Sequence, residues 1–274
     1  MELLQFEDVT YACEIHQHHE DLPYLLMLHG FMGDHRVFDH LTDELCNFCN
    51  PITIDLLGYG KSSKPSDPNR YGEDRQINDI NAIVEKLEID SLFLFGYSMG
   101  GRLALQTAIE APAYLKGVIL ESTTCGITDS QQRKKRRKLD AKWAREIKED
   151  FEDFLSQWKQ LDLFQSPVAT DESLLKNYQQ IQAEQHPDAL AASLHGFGTG
   201  SMTPVCDELK QFGLPVLLLA GSADEKYQQI NEYLVDQFPN ATFSSIEAGH
   251  RTHLDNPSAF LSELKHFIDI NTFL

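Results

Sequence analysis

The sequence predicts an α/β protein with a mostly parallel central sheet, helices on both faces of that sheet and an inserted helical lid. Short apolar runs alternate with segments of helical periodicity, which is the pattern of parallel strands joined by covering helices. A Gly-x-Ser-x-Gly sequence at residues 96–100 lies between one such run and one such segment. Residues 122–214 then pass without a convincing strand, although a whole strand–helix–strand unit takes only about 30 residues.

Six apolar runs are predicted to be strands of the central sheet, and five periodic segments are predicted to be its helices. The predicted strands are residues 24–28, 51–55, 91–95, 116–121, 215–220 and 241–246. The predicted helices are residues 37–46, 77–87, 102–110, 228–238 and 257–270. Residues 3–11 and 12–15 are expected to add an antiparallel pair at one edge. Residues 1–121 and 215–274 therefore form the predicted core domain.

The interruption at residues 122–214 is predicted to be a helical lid, or cap, inserted into the core domain. Its periodic segments, at residues 130–149, 151–160, 172–185 and 188–194, favour helices. The lid holds 12 of the 23 Lys and Arg residues and 14 of the 42 Asp and Glu residues, so its net charge is near −2 and that of the remainder is near −17. Positive charge is therefore concentrated in the lid.

The overall charge and hydrophobicity limit the classes of partner. A formal net charge of −19 argues against nucleic acid or an anionic membrane, because both bind a basic face. The first residues lack a basic segment followed by an apolar one, and no apolar run approaches the roughly 18 residues of a membrane span. We therefore expect a soluble cytoplasmic protein, either a monomer or a homodimer.

The five cysteines form an odd, scattered set that does not look like a disulfide framework. They are Cys13, Cys46, Cys49, Cys125 and Cys206. We expect buried structural thiols in the reduced state. The Cys-x-x-Cys pair at residues 46–49 has no second pair, so a metal or redox site is the less favoured reading, and no metal ion or cofactor is predicted.

Ser98 lies on the predicted strand-to-helix turn, in the context of a nucleophile elbow. A serine on such a sharp turn takes a strained backbone conformation. The residues two positions to either side must be very small, since the strand and the helix nearly touch there. Gly96 and Gly100 meet that requirement.

A serine hydroxyl needs a histidine to accept its proton and an acid to orient that histidine. Asp224 follows the apolar run that ends at residue 220, and His250 follows the run that ends at residue 246. Alone, each is read as an ordinary turn acid or a surface or core histidine. The order Ser98, Asp224, His250 is that of the α/β-hydrolase fold, and it predicts a catalytic triad. His253 lies one turn too far along the chain to be the base.

An oxyanion hole needs two backbone N–H groups that point at one position. Met99, after the serine, offers the first from a helix N-terminus, and the second is expected from the loop after the first central strand. That loop begins with residues 29–33, His-Gly-Phe-Met-Gly, and we assign the second donor to Phe31. The other reading of this loop is a simple glycine-rich turn.

The basic run at residues 133–138 is interpreted as a solvated helix face, because the strong negative charge elsewhere makes nucleic acid unsuitable as a partner. At helical spacing Arg133, Arg136 and Arg137 share a face with Asp140. One of these arginines is therefore expected to point under the lid, with Asp140 orienting its guanidinium.

Three further side chains have both a structural and a functional reading. Arg102, four residues after Ser98, is either a second cation near the chemistry or an ordinary surface charge of the helix. Trp143 and Trp158, the two tryptophans of the chain, both fall in the lid. They form either part of its core or an aromatic wall over a pocket.

Together these residues resemble the 2-succinyl-6-hydroxy-2,4-cyclohexadiene-1-carboxylate synthases of menaquinone biosynthesis. Residues 96–105, Gly-Tyr-Ser-Met-Gly-Gly-Arg-Leu-Ala-Leu, look like the elbow of that family. The resemblance continues at residues 28–33, 54–60, 119–123, 136–140, 163–165, 198–200, 224–226 and 248–253. It covers nearly the whole chain, and the lid matches are its specific part, since many hydrolases share an elbow and a triad.

The resemblance implies a lyase that eliminates pyruvate from a succinyl-substituted enolpyruvyl cyclohexene carboxylate. Ser98 would then act as a base, and the Phe31 and Met99 amides would hold the oxyanion. The positions that match family residues for substrate binding are Arg102, Arg136, Tyr97, Trp158 and Gln182. A small substrate with several carboxylates needs such local cations in a protein of this charge.

One departure from the family pattern supports a different reading. Gln182 stands where the family commonly has a carboxylate-binding arginine, and glutamine brings no charge. Either Lys176 or another basic residue substitutes for it, or the substrate differs. The alternative is a carboxylester or carbon–carbon bond hydrolase with Ser98 as a covalent nucleophile. A non-catalytic binding module is a third class, disfavoured by the intact triad.

Overall fold

The computed structural model describes residues 1–272, which form one eight-stranded sheet covered by helices. The last two residues of the predicted core domain lie outside the described residues. The strands are β1 Glu2–Gln5, β2 Thr10–Ile15, β3 Tyr24–Leu28, β4 Asn50–Ile54, β5 Leu92–Tyr97, β6 Leu115–Glu121, β7 Val216–Gly221 and β8 Ala241–Ile246.

The strand order is β1-β2-β4-β3-β5-β6-β7-β8. Strands β1 and β2 pair antiparallel, β2 joins β4 antiparallel, and all remaining neighbours are parallel. Every residue of β4, β5 and β7 is buried, as expected for strands that helices cover on both faces. The predicted fold class is therefore confirmed. An antiparallel pair lies at one edge as expected, but its turn falls at residues 6–9, so the predicted bounds of residues 3–11 and 12–15 are wrong.

Ten α-helices lie within residues 1–272. They are α1 Thr42–Leu45, α2 Glu73–Lys86, α3 Met99–Ile109, α4 Ser130–Glu149, α5 Phe151–Trp158, α6 Glu172–Ala183, α7 Pro187–Phe197, α8 Glu225–Val235, α9 Thr252–Asp255 and α10 Pro257–Asn271. Short 3-10 segments are formed by His35–Leu41, Pro68–Tyr71, Asp162–Phe164 and Leu209–Gln211. None of these helices is both long and apolar enough to cross a membrane.

The helix predicted at residues 37–46 is instead a 3-10 segment, His35–Leu41, followed by the short α1. His35, Phe38 and Leu41 recur every three residues and are all buried. A three-residue turn places them on one face, whereas an α-helix would spread them around its axis. The Asp34 side chain accepts a hydrogen bond from the Arg36 amide and so caps this segment.

Between β6 and β7 the described chain forms α4, α5, α6 and α7 and no strand. Helix α4 has the predicted bounds, and the other three differ from the predictions by one to three residues at their ends. Helix α4 packs along α7, and α7 contacts the Pro68–Tyr71 turn of the main sheet layer. The insertion therefore contacts the rest of the molecule mainly through α7, and α6 adds contacts with the His35–Leu41 segment.

Cys125 and Cys206 form a disulfide across a sequence separation of 81 residues, so the expectation that all five thiols are reduced is wrong for this pair. Cys125 follows β6 and Cys206 precedes β7, which are neighbouring strands. The two ends of the insertion therefore lie close together, next to neighbouring strands. The spacing of the cysteines in the sequence does not reveal that they are close. Cys13, Cys46 and Cys49 are free.

Loss of the disulfide is expected to lower the free energy of unfolding by about 2–4 kcal/mol, because the bond closes a long loop in the unfolded chain. Urea denaturation of oxidised wild type and of the Cys125→Ser/Cys206→Ser variant measures this difference. Cys46→Ser, at a partly exposed free thiol, is the matched control and should unfold like wild type. Equal stability of all three proteins would contradict the prediction.

Candidate active site

Ser98 occupies the sharp turn between β5 and α3, with φ of 52° and ψ of −103°. An alanine Cβ at Gly96 would lie 2.4 Å from the Gly100 carbonyl oxygen, and one at Gly100 would lie 2.3 Å from the Leu28 carbonyl oxygen. Only glycine fits both positions, because α3 nearly touches β5 at Gly96 and the end of β3 at Gly100. Ser98 is therefore held in a strained elbow that presents its hydroxyl at the carboxyl end of the sheet.

The structure brings Ser98, His250 and Asp224 together at the carboxyl ends of β5, β8 and β7. The Ser98 hydroxyl lies 3.2 Å from His250 Nε2, and His250 Nδ1 lies 2.6 Å from Asp224 Oδ2. When Nδ1–H donates to the Asp224 carboxylate, Nε2 is free to accept the serine proton. His250 and Asp224 are both buried, so little water competes for these hydrogen bonds.

The loop after β3 carries Phe31 to the same place. His29 is fully buried and fixes this loop, since its Nδ1 lies 2.8 Å from the Gly30 carbonyl oxygen and its Nε2 accepts the Leu56 amide at 3.0 Å. Burial lowers the pKa of His29, which keeps the imidazole neutral and able to accept. Met99 is the first residue of α3, so its amide has no acceptor within the helix.

A cavity of about 150 Å³ lies over Ser98, between the sheet and the insertion. Nine of the ten predicted site residues line it: Phe31, Tyr97, Ser98, Met99, Arg102, Arg136, Trp158, Gln182 and His250. Asp224 lies behind His250 instead. The cavity therefore combines the predicted reacting groups, two arginines and an aromatic wall.

Arg102 is buried and is not a surface charge of α3, with only 8% of the residue exposed. Its Nη1 donates to the Phe197 carbonyl oxygen at 2.7 Å, and its guanidinium carbon lies 4.9 Å from the Phe197 ring centroid. Burial, with repulsion from Arg136, lowers the pKa of Arg102 to about 10. The side chain is therefore still a cation at neutral pH.

Arg136 is the arginine of the basic run that reaches the cavity. Its Nε donates to the buried Asp140 carboxylate at 2.7 Å, and its guanidinium carbon lies 5.4 Å from the Trp143 ring centroid. Arg137 turns away and donates to the Gly200 carbonyl oxygen at 2.6 Å. The helical spacing thus identified the right face of α4, although it did not distinguish among the arginines.

Trp158 packs against Phe31 and Trp143, with ring centroids 5.6 and 5.4 Å away. Its indole Nε1 is buried and has no hydrogen-bond partner within residues 1–272. A buried donor without an acceptor is costly, so this N–H is an unsatisfied polar group in a residue of the cavity wall.

Several residues near the cavity were not singled out by sequence reasoning. Phe164, Lys226 and Tyr227 line it, and Tyr227 also packs on His250 with ring centroids 4.7 Å apart. Phe164 and Lys226 lie in the segments 163–165 and 224–226 that resemble the family, although no role was assigned to them, and no motif marks Tyr227. His253 does not contact Ser98, and its Nδ1 lies 2.8 Å from the buried Glu121 carboxylate instead.

Asp34, His35 and Asp55 form a buried group whose ligand atoms lie within 4.8 Å of one another. The Asp34 carboxylate already accepts hydrogen bonds from Arg36 and Gln185, and Asp55 lies 2.6 Å from His35 Nδ1. Burial opposes a charged imidazole, but the Asp55 carboxylate outweighs it and raises the pKa of His35. The group is therefore a satisfied ion-pair network.

The alpha/beta hydrolase fold family matches residues 23–257. A Serratia proteamaculans protein named 2-succinyl-6-hydroxy-2,4-cyclohexadiene-1-carboxylate synthase is 29% identical over 262 residues, covering 93% of this chain and 96% of the relative. A Bacillus subtilis (strain 168) protein, which carries that name provisionally, is 33% identical over 246 residues and 89% of each chain.

Solved structures are similar over nearly the full length. The structure of MenH from S. aureus has a TM-score of 0.90 and 31% identity, and the match covers 96% of this chain and 98% of that one. An enol-lactonase from Burkholderia xenovorans LB400 has a TM-score of 0.81 at 15% identity, with 98% and 100% covered, which shows a shared fold alone.

Proposed function

The chain belongs to the alpha/beta hydrolase fold family and, within it, to the 2-succinyl-6-hydroxy-2,4-cyclohexadiene-1-carboxylate synthases, and we propose that Ser98, His250 and Asp224 carry out the reaction of these synthases. The protein is a lyase of menaquinone biosynthesis that eliminates pyruvate. The substrate is a succinyl-substituted enolpyruvyl cyclohexene carboxylate.

In the proposed mechanism His250 Nε2 takes the Ser98 proton as the serine oxygen removes a proton from the substrate ring. Asp224 stabilises the imidazolium that results. The electron pair of the broken C–H bond moves through the conjugated system and expels the enolpyruvyl oxygen as the C–O bond breaks. The departing enolate takes the proton from His250 and becomes pyruvate, so no acyl-enzyme forms.

Two backbone amides are proposed to stabilise the charge that develops on the conjugated carbonyl oxygen. The Met99 N–H lies at the N-terminus of α3, where the helix dipole favours an anion. The Phe31 N–H lies in the loop that His29 anchors. Fixed donors of this kind stabilise a transition state without reorganising, which is the property an oxyanion hole requires.

The observation that carries the proposal is the buried Arg102, four residues after Ser98. Within residues 1–272 no carboxylate forms an ion pair with Arg102. A buried cation in a reaction cavity calls for an anionic ligand, and the small carboxylate substrate of this family supplies one. Arg136, held by Asp140, provides a second cation for the same molecule.

We further propose that residues 122–214 act as a lid over a core domain of residues 1–121 and 215–274. Lid residues Arg136, Trp158 and Phe164 line the cavity above Ser98, and this placement supports a role in excluding water.

A cytoplasmic location is part of the proposal, although cytoplasmic reductants oppose the Cys125–Cys206 disulfide. The acidic surface supports a small-molecule partner and disfavours nucleic acid or a membrane.

The purified protein is expected to release one pyruvate per molecule of the enolpyruvyl cyclohexene intermediate. Coupling pyruvate to lactate dehydrogenase and following NADH absorbance measures the rate. A panel of simple acyl esters, with fluorophosphonate labelling of Ser98, tests the hydrolase alternative in parallel. Rapid ester turnover with a burst of product, and no pyruvate from the intermediate, would contradict the proposal.

A further inference from the structure

Glu121, the last residue of β6, is a fully buried carboxylate that the proposed mechanism does not use. Its Oε1 accepts the Thr252 hydroxyl at 2.6 Å and the His253 amide at 3.1 Å, and its Oε2 lies 2.8 Å from His253 Nδ1. All three of these groups belong to the two residues that begin α9, just after His250 in the sequence. The Glu121 side chain therefore holds the segment that follows His250.

The backbone of Glu121 contacts the loop that carries the serine. Its carbonyl oxygen accepts the Ser98 amide at 2.8 Å, at the point where β6 runs beside the end of β5. One residue thus contacts the elbow through its main chain and the segment after His250 through its carboxylate. The separation of 3.2 Å between the Ser98 hydroxyl and His250 Nε2 depends on how these two segments are placed. Glu121 is therefore in a position to fix that separation.

His253 links the Glu121 carboxylate to the wall of the cavity. Its ring centroid lies 4.7 Å from that of Tyr97, which lines the cavity beside Ser98. Its Nε2 is buried and has no hydrogen-bond partner among residues 1–272. In that part of the chain, the Glu121 carboxylate is therefore the one hydrogen-bonding group that orients the His253 imidazole. Loss of this carboxylate would leave both ring nitrogens without a partner, which is costly in a buried site.

We propose that Glu121 is a positioning residue that keeps His250 aligned with Ser98. This inference rests on the proposed function, in which the aligned triad removes the substrate proton. Burial of a carboxylate is costly, and an apolar side chain of similar size would fill the same space at lower cost. The carboxylate instead provides directional bonds that fix the segment after His250. The Gly249 amide donates to Asp255 Oδ2 at 2.9 Å and anchors the loop on the other side, so loss of Glu121 misplaces the imidazole without releasing it.

The test uses Glu121→Leu, which has a similar size but accepts no hydrogen bond, and Glu121→Gln, whose amide oxygen still accepts from Thr252 and the His253 amide. In pyruvate release, Glu121→Leu is expected to lower kcat about 10- to 100-fold with KM within about threefold of wild type, because a shift of about 1 Å in a reacting group has an effect of this size. Glu121→Gln should recover most of the loss. Thr252→Val removes one bond only and should lower kcat less, and it replaces Glu121→Leu in the test if that variant does not fold.

Tyr11→Phe is the matched control for a loss of stability alone. It removes the hydrogen bond of another buried side chain of the sheet, from the Tyr11 hydroxyl to Asp79 at 2.6 Å, on strand β2 away from the cavity. This variant should have a lower Tm than wild type and the same kcat. A folded Glu121→Leu enzyme that behaves in the same way, or one whose change is confined to KM, would overturn the inference.

A second measurement does not depend on turnover. The proton between His250 Nδ1 and Asp224 Oδ2, which lie 2.6 Å apart, is expected to give a low-field proton NMR resonance that Asp224→Asn identifies by its loss. In Glu121→Leu this resonance should shift and broaden by exchange with water, whereas in Tyr11→Phe it should match wild type. An unchanged resonance would overturn the inference. Absence of pyruvate release by wild type would instead count against the proposed function, while the resonance still decides the role of Glu121.

Discussion

Replacement of Ser98 by alanine is expected to lower kcat for pyruvate release at least about 1000-fold, with KM changed little. The hydroxyl lies 3.2 Å from His250 Nε2 and is the group proposed to take the ring proton. The backbone amides and the arginines remain, so substrate still binds. Single-turnover and steady-state rates of pyruvate formation measure the two effects separately.

His250→Ala should cause a loss of similar size, and the Ser98→Ala/His250→Ala double variant should be no slower than either single variant. Residues that act as one unit are non-additive in this way. Ser91→Ala, at an exposed serine just before β5, is the matched control and should retain wild-type rates. Additive losses, or an active Ser98→Ala enzyme, would exclude the proposed base.

Arg102→Ala is expected to lower kcat/KM about 100-fold or more, mainly through KM. The substituted enzyme loses the buried guanidinium that is proposed to pair with a substrate carboxylate. Arg102→Lys keeps a charge but not the planar fork, so it should recover only part of the affinity. Titration of pyruvate release against substrate concentration gives kcat and KM for each variant.

Arg145→Ala, at an exposed position on α4, is the matched control, because it removes an arginine charge at the surface instead of in the cavity. Circular dichroism and Tm show whether Arg102→Ala folds, because its Nη1 also holds the Phe197 carbonyl. A folded Arg102→Ala enzyme with wild-type KM would contradict the assignment of this residue to substrate binding.

The fold was predictable from the sequence because parallel strands that are buried on both faces have continuous apolar sequences. The elbow was equally readable, since Gly96 and Gly100 are required by backbone contacts two residues from Ser98. Asp224 and His250 were identified because each follows an apolar run that predicts a strand, and because the order Ser98, Asp224, His250 is that of the α/β-hydrolase fold. These inferences use local pattern together with topology.

Features that depend on contacts between distant segments could not be predicted in the same way. Cys125 and Cys206 meet because β6 and β7 are adjacent, which no cysteine spacing encodes. Arg251 directly follows His250, and the two aromatic rings that enclose its guanidinium come from the insertion, which its neighbours in the sequence do not indicate. The 3-10 segment at His35–Leu41 was missed because apolar spacings of three and four residues were treated as equivalent.

The disulfide turns the insertion into a closed ring of chain that hangs from one side of the sheet. Because the disulfide joins its two ends, the insertion cannot open by moving those ends apart when substrate enters. Substrate access is then expected to come from bending within the insertion. Residues 159–171, between α5 and α6, are the segment most able to bend, because they contain only a short 3-10 turn. Phe164 lies in that segment and packs against the His250 ring, so we expect residues 159–171 to move and substrate to enter beside His250.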